Sequence, residues 1–236
     1  MRSETIAPAS NFAANVERLL TFIEYRTIKT EAEQDAMLRL RYEAYLKEGA
    51  ISANERHRLT DSYDHLKNAV NVGLFFEDRL ISAMRMHFLS HPDDVSPSMQ
   101  AFGDFLIPHL SAGETMVDPN RFVVDYAMAR KFPHLAYATT RLTMIAGAYY
   151  DARFAVISIR PEHQAFYKRT FFTTLLGPPR AYPGLTKKLC LMLGDFQSDR
   201  DRIIQRNPFY ASNPTEQQRL FGKIKIDRKR RASAAA

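Results

Sequence analysis

The short apolar run "FAVISI", residues 154–159, sets the strongest limit on the fold. A strand that is apolar on both faces belongs inside a sheet covered by helices on both sides. Its flanks supply such helices. Upstream, Leu135, Ala138, Leu142, Ile145, Ala146 and Tyr149 form an apolar stripe over about 134–151. Downstream, "RPEHQAFYKRTFF" opens a helix with Pro161 in its first turn, where a missing N–H costs nothing.

The first half of the chain has a different rhythm. "IEYRTIKT", 23–30, alternates and reads as a strand, and a helix follows over 31–48. Leu38, Arg41, Tyr42 and Tyr45 share one face of it, and Gly49 ends it. "HRLTDSYDHLKN", 57–68, is a polar loop. "AVNVGLFF", 69–76, and "LISAMRMHFL", 80–89, form a hairpin. A short helix falls around "SMQAFGDFLIPHL", and two last strands flank the loop in "GPPRAYPG". The order β-α-β-β-(α)-β-α-β-α-β-β implies an α/β (α+β) domain. Its mixed sheet has about seven strands and helices on both faces.

The strand at 115–124 is unusual. "MVDPNRFVVD" joins an acid, a proline and an arginine to an apolar end. Side chains alternate faces along a strand, so Asp118 and Arg121, three apart, would point opposite ways. Pro119 cannot donate to a ladder and belongs at an edge or bulge. A bulge shifts the register by one and brings Asp118 and Arg121 to the same side. The plainer alternative is a loop that ends in a strand, with Arg121 on the surface.

Domain limits follow from composition. Residues 1–14 read as disordered, 15–197 as the folded domain, and 198–236 as a C-terminal extension with one helix at 214–222. Much of the net charge of +7 sits in "KIKIDRKRR", 223–231, which has six basic residues and one aspartate. Such a tail is a solvated end, or it meets nucleic acid, anionic lipid or an acidic protein. No helix-turn-helix or zinc pattern supports specific nucleic-acid reading, so a non-catalytic nucleic-acid-binding protein ranks last. The lone Cys190 excludes an internal disulfide and lies mid-strand as core. Seven scattered histidines show no metal-ligand spacing. No run reaches the roughly 18 apolar residues of a membrane span, and no signal peptide opens the chain. The expectation is a cytoplasmic protein, with peripheral membrane contact left open.

In its order of elements the chain resembles the acetyltransferase-like GNAT fold. Within it, the chain is similar to the branch that holds N-acyl amino acid synthases and acyl-homoserine-lactone synthases. The carrying residues are Arg41 in "RLRYEAYLKEGAI", Asp61 and Asp64 in "DSYD", Arg85 in "LISAMRM", "VDPNRFVV", and "RPEHQAFYKRTFF" followed by "LLGPPRAYPG". Asp118 stands where the branch has Glu, and Asn120 where Ser or Thr is common.

The resemblance implies transfer of a fatty acyl group from a pantetheine thioester to an amine. Asp118 then accepts the amine's proton, directly or through water. An ion pair with Arg121 would lower its pKa and make it a weak base. Arg41, Arg85 and Arg121 with Asp61 and Asp64 form a charge network over the amino-acid site, or a purely structural one. Tyr167 is placed as acid for the leaving thiolate, and Arg160 with His163 beside the same cleft. The carrier-facing set is Val123, Val124, Arg130, Lys131, Lys168 and Arg169. "ARKFPHL", 129–135, lacks the glycine-rich form that holds coenzyme A pyrophosphate. This favours acyl carrier protein as donor and partner, with a coenzyme A thioester as the alternative. No metal or resident cofactor is expected. An amino acid is the expected acceptor. The alternative is S-adenosylmethionine, as in the acyl-homoserine-lactone synthases. The absence of tryptophan and the "GPPRAYPG" ending both favour the amino acid.

Overall fold

The computed structural model describes residues 11–223. Seven strands form one sheet in the order β1-β2-β3-β4-β5-β7-β6. They are β1 Glu24–Thr27, β2 Ala69–Phe76, β3 Arg79–Leu89, β4 Met116–Val124, β5 Phe154–Ile159, β6 Thr174–Leu175 and β7 Cys190–Asp195. Every neighbouring pair is antiparallel except β4 with β5. The β2–β3 hairpin turns through Glu77 and Asp78, at φ 48° and 60°. This left-handed pair matches the twist of the strands it joins.

Helices cover both faces, as the apolar β5 requires. The helix α2 (Glu31–Lys47) is closed at its start by a capping box between Thr30 and Glu33. It packs with α3 (Pro97–Ser111) on one face. The other face carries α5 (Leu135–Tyr150), whose residues Leu142, Ile145 and Ala146 are fully buried in the main core. Burying one such Leu or Ile side chain contributes roughly 1.5–3 kcal/mol. A short helix α4 (Tyr126–Lys131) precedes α5, and α6 (Gln164–Phe171) follows β5.

Two boundaries differ from the sequence reading. Residues 11–14, read as disordered, are helical. A helix α1 (Asn11–Leu20) buries Ala13, Val16 and Leu19, and its Phe12 packs edge-on against His134, Tyr137 and Phe209. The described part of the segment after 197 is no appendage. Two helices, α7 (Phe196–Arg206) and α8 (Pro214–Phe221), place Ile203, Leu220 and Phe221 in the main core. Arg141 of α5 fastens them, donating to the carbonyls of Phe209 and Ala211 (each 2.6 Å) and pairing with Glu216 at 2.5 and 2.7 Å. The expected disorder of 1–10 and most of the basic tail lie outside the described residues. Among those described, no helix is long and apolar enough to cross a membrane, and no metal-binding cluster occurs.

Candidate active site

Of the two readings of the 115–124 strand, the structure has the bulge. Ala83 pairs with Val123 and Arg85 with Asn120, so Met84 alone opposes Arg121 and Phe122. Arg121 takes the extra place in left-handed backbone, at φ 51°. A non-glycine residue there costs on the order of 1–3 kcal/mol. The bulge turns Asp118 and Arg121 to the same face, toward α2 and α3.

That face holds a buried charge network. The 57–68 loop contains a 3₁₀ turn, Ser62–His65, started by Asp61, which accepts from the Tyr63 N–H at 3.0 Å. The turn fixes Asp61 and Asp64 over three arginines. Arg85 Nη1 reaches Asp61 Oδ1 at 2.5 Å and Asp64 Oδ1 at 2.8 Å, and its Nε donates to Asn120 Oδ1 at 2.7 Å. Arg41 donates to Asp64 (2.7 Å) and to Asn71 (2.6 Å). Arg121 grips Asp61 Oδ2 with Nε (3.0 Å) and Nη2 (2.6 Å). All five predicted members thus meet. Three cations face two anions. Burial pushes both Asp61 and Asp64 upward. For Asp61, bonds and charge from Arg85 and Arg121 outweigh this, and for Asp64 those of Arg41 and Arg85 do, so both lie below the usual carboxylate range.

His87 lies beside this network. Burial, with the Arg85 charge, pushes it down to about 3. Its Nδ1 lies 2.9 Å from Asn120 Nδ2 and so accepts, which leaves Nε2–H to donate to the Tyr63 carbonyl at 3.3 Å. The neutral ring has consequences for acid stability. Between about pH 6.5 and 3 the unfolded chain binds a proton here that the folded chain refuses, so stability falls as pH drops through this window. The full effect is on the order of 4–5 kcal/mol. Asp61 and Asp64 add to the loss below about pH 4, whereas Asp118, whose carboxyl is shifted upward, offsets part of the His87 loss above that pH. Urea midpoints measured across pH should show this slope, and His87→Gln should flatten it above pH 4. An equal slope in the variant would assign the loss to other groups.

Asp118 differs from the expectation. It makes no ion pair with Arg121. Its Oδ1 accepts from the Ser98 hydroxyl at 2.8 Å, and its buried Oδ2 has no partner among the described residues. Burial raises its pKa, against the Ser96 and Ser98 hydroxyls and the Arg85 charge. The reason for rating it a weak base therefore falls away: a carboxylate shifted upward is the better proton acceptor near neutrality.

A cavity of about 550 Å³ adjoins the network. It exists because β4 and β5 pair only at Met116↔Phe154 and Val117↔Ala155 and then part. Pro119, with no N–H, sits where the ladder would continue. The α2 side of the cavity is lined by Tyr45, Lys47, Glu48, Arg160 and Lys187. Across the sheet its walls are apolar, with Met84, Met144, Phe171, Phe196 and Ile203. Val123, Val124, Tyr167 and Arg121 line it as well. Arg121 Nη1 is buried and has no partner among the described residues. Burial raises the Tyr167 hydroxyl, which stays a neutral donor.

Other predicted residues stand apart. Arg160 belongs to the rim, paired with Glu48 and Glu162 at 3.3 Å each, rather than to the arginine network. Arg130 and Lys131 of α4 and Lys168 and Arg169 of α6 are exposed and line no part of the cavity. Residues 129–131 close a helix rather than a phosphate loop, and Asp125 caps that helix by accepting from the Met128 N–H at 2.9 Å. Sequence reasoning missed Ser98, Ser158 and Tyr182, which surround Asp118. Tyr182 lies inside the quoted "GPPRAYPG", but isolated serines carry no signal.

Comparison with known proteins agrees with this geometry. The family model for the N-acyl amino acid synthase FeeM matches residues 36–195, well over half the chain. The solved structure of FeeM, an N-acyl amino acid synthase from uncultured soil microbes, superposes with a TM-score of 0.65 at 17% identity, covering 78% of this chain and 96% of that one. The coenzyme A-dependent acyl-homoserine lactone synthase BjaI gives 0.55 at 16%, covering 79% and 89%. The acyl-homoserine lactone synthase LasI gives 0.51 at 13%, covering 87% and 97%. No match was found among curated protein sequences. The structural likenesses establish the GNAT-like fold.

Proposed function

Because this chain belongs to the FeeM family of N-acyl amino acid synthases, and so is an acyltransferase, we propose that it moves a fatty acyl group from the phosphopantetheine thioester of acyl carrier protein to the amine of an amino acid. One observation carries this reading. A deep apolar cavity passes between the parted β4 and β5, and its polar side holds the unpaired Nη1 of Arg121. The cavity suits an acyl chain. The free guanidinium nitrogen suits the acceptor's carboxylate.

Chemistry follows from what each group holds. The thioester is already activated, so the amine attacks the carbonyl carbon directly. Asp118 takes the proton the amine must lose, and Tyr167 is placed to protonate the departing thiolate. Val123 and Val124 border the gap where the pantetheine arm would lie.

The donor is proposed as carrier protein because the β4–α5 connection offers no glycine-rich loop for a pyrophosphate, and Asp125 occupies the first turn of α4. Lys47, Lys187 and Arg160 at the rim, with Arg130, Lys131, Lys168 and Arg169 beyond it, would meet an acidic carrier surface. Charge also favours an amino acid over S-adenosylmethionine, whose sulfonium would add a cation beside the three arginines.

The test is mass spectrometry of lipid extracts from a bacterial host expressing this chain, with Arg121→Ala as control. New N-acyl amino acids, absent from the control, are expected. Acyl-homoserine lactones would replace the acceptor assignment, and no acylated product at all would refute acyl transfer. Chain length supplies a further expectation. Ile203 of α7 lies outside the family-matched segment, yet it lines the apolar end. Each methylene that no longer enters forfeits about 0.8 kcal/mol. Ile203→Trp should therefore favour products two carbons shorter by about tenfold over the wild-type length. An unshifted product profile would place the acyl chain elsewhere.

A further inference from the structure

Asp118 does not line the cavity, although its proposed task is to accept a proton there. Two residues beside it do: Ser158 of β5 and Tyr182 of the β6–β7 connection. Both meet one hydroxyl. Ser98 Oγ lies 2.8 Å from Asp118 Oδ1, 2.9 Å from Ser158 Oγ and 3.1 Å from Tyr182 Oη. We propose that Ser98, Ser158 and Tyr182 form a proton relay that joins the cavity to the buried Asp118 and fixes the direction in which it accepts. The proposal rests on the acyl-transfer reading above and assigns it three further residues.

Proton counting fixes the direction. A serine hydroxyl has one proton and two lone pairs. When Asp118 is ionised it can only accept, so Ser98 must donate to it. Ser98 then has no proton left for its other two partners, and both must donate to it. Ser158 and Tyr182 thus turn their only protons inward. Their remaining lone pairs are left for the cavity, where they can accept from an amine N–H. The Ser98 hydroxyl is fully used, with one bond given and two received. A buried polar group so satisfied holds a single orientation.

The step balances. The amine nitrogen bonds to the thioester carbon. Its proton passes to Ser158 or Tyr182, whose own proton passes to Ser98, whose proton passes to Asp118 Oδ1. The carbon–sulfur bond breaks and Tyr167 gives the thiolate its proton, leaving amide and thiol; Asp118 then loses its proton and Tyr167 regains one, so the net transfer is from amine to thiolate. Ser98 is here a positioning residue, since it acts through its neighbours.

Several groups set the response of Asp118 to pH. Arg85 and His87 face it from β3, Asn120 and Arg121 follow it on β4, and Tyr182 faces it from the β6–β7 connection. From α3 come Ser96 and Ser98, and from β5 Ser158, all uncharged.

The experiment is a set of pH profiles of kcat and KM on the full chain: wild type, Ser98→Ala, Ser98→Thr, Asp118→Asn, the Ser98→Ala/Asp118→Asn pair and Tyr182→Phe. Thermal melts check that each variant is folded. Ser98→Ala is expected to lower kcat by about tenfold to a hundredfold with KM little changed and the acid limb displaced. Ser98→Thr, which keeps the hydroxyl, should restore most of it. In the Asp118→Asn background Ser98→Ala should cost almost nothing more, because a broken relay cannot be broken twice. Tyr182→Phe should fall between wild type and Ser98→Ala, since Ser158 still feeds Ser98. Additive losses, an undisplaced acid limb, or full kcat in Ser98→Ala would overturn the relay alone. A wild type without acyl transfer would overturn the relay together with the reading it rests on.

Discussion

Replacing Arg121 by alanine is expected to lower acyl transfer by at least about a hundredfold while the protein stays folded. The activity loss follows from Nη1, the one guanidinium nitrogen of the network that is buried, unpaired and part of a cavity-lining residue. Donors preorganised in such a site are each worth about 10²–10³ in rate. The fold survives because Asp61 keeps Arg85, at 2.5 and 3.2 Å, and still caps its own turn. Arg121→Lys should fare little better, since a single ammonium cannot hold Asp61 and substrate in one planar fork. Steady-state kinetics beside a thermal melt settles the matter. Unchanged turnover in a folded variant would remove Arg121 from the site.

Arg85→Met should do the opposite and damage the fold first. Arg85 is fully buried and donates to Asp61, Asp64 and Asn120 at once. Its removal leaves two partly desolvated carboxylates with one cation each and an amide oxygen with none. Breaking a buried pair in this way costs about 3–5 kcal/mol. That is a large share of the roughly 5–15 kcal/mol that holds a domain together. Urea unfolding should show a lower midpoint at unchanged slope. A loss under about 1 kcal/mol would mean that water or neighbouring donors replace the guanidinium.

The difference between these two arginines was not legible in the sequence. Each is the one arginine of its strand's inner stretch, and only tertiary placement leaves one with a free nitrogen. The resemblance named all five members of the network, and the bulge at Pro119–Arg121 was one of two readings that strand alternation and Pro119 left open. The partner of Asp118 did not follow, because it comes from Ser98, twenty residues away at the start of α3. The fold divides in the same way. Segments such as α2, α5 and the β2–β3 hairpin were readable with close boundaries. The helix α7, "FQSDRDRIIQR", was not: only Phe196 and Ile203 are buried, too few to mark a stripe among charged residues. α1 does carry a signal, since Phe12, Ala13, Val16, Leu19 and Leu20 fall on one helical face, and the sequence reading makes no use of it. It is packing onto α5 that makes them core.

The parting of β4 from β5 also divides the sheet mechanically. Four strands, β1 to β4, lie on one side and three on the other, and only two residue pairs join the halves across the ladder. A continuous sheet resists bending along every rung, whereas here the rungs are missing where the cavity lies. Side-chain packing joins the halves instead: the apolar cores on both faces draw residues from β3 and β4 on one side and from β5 and β7 on the other.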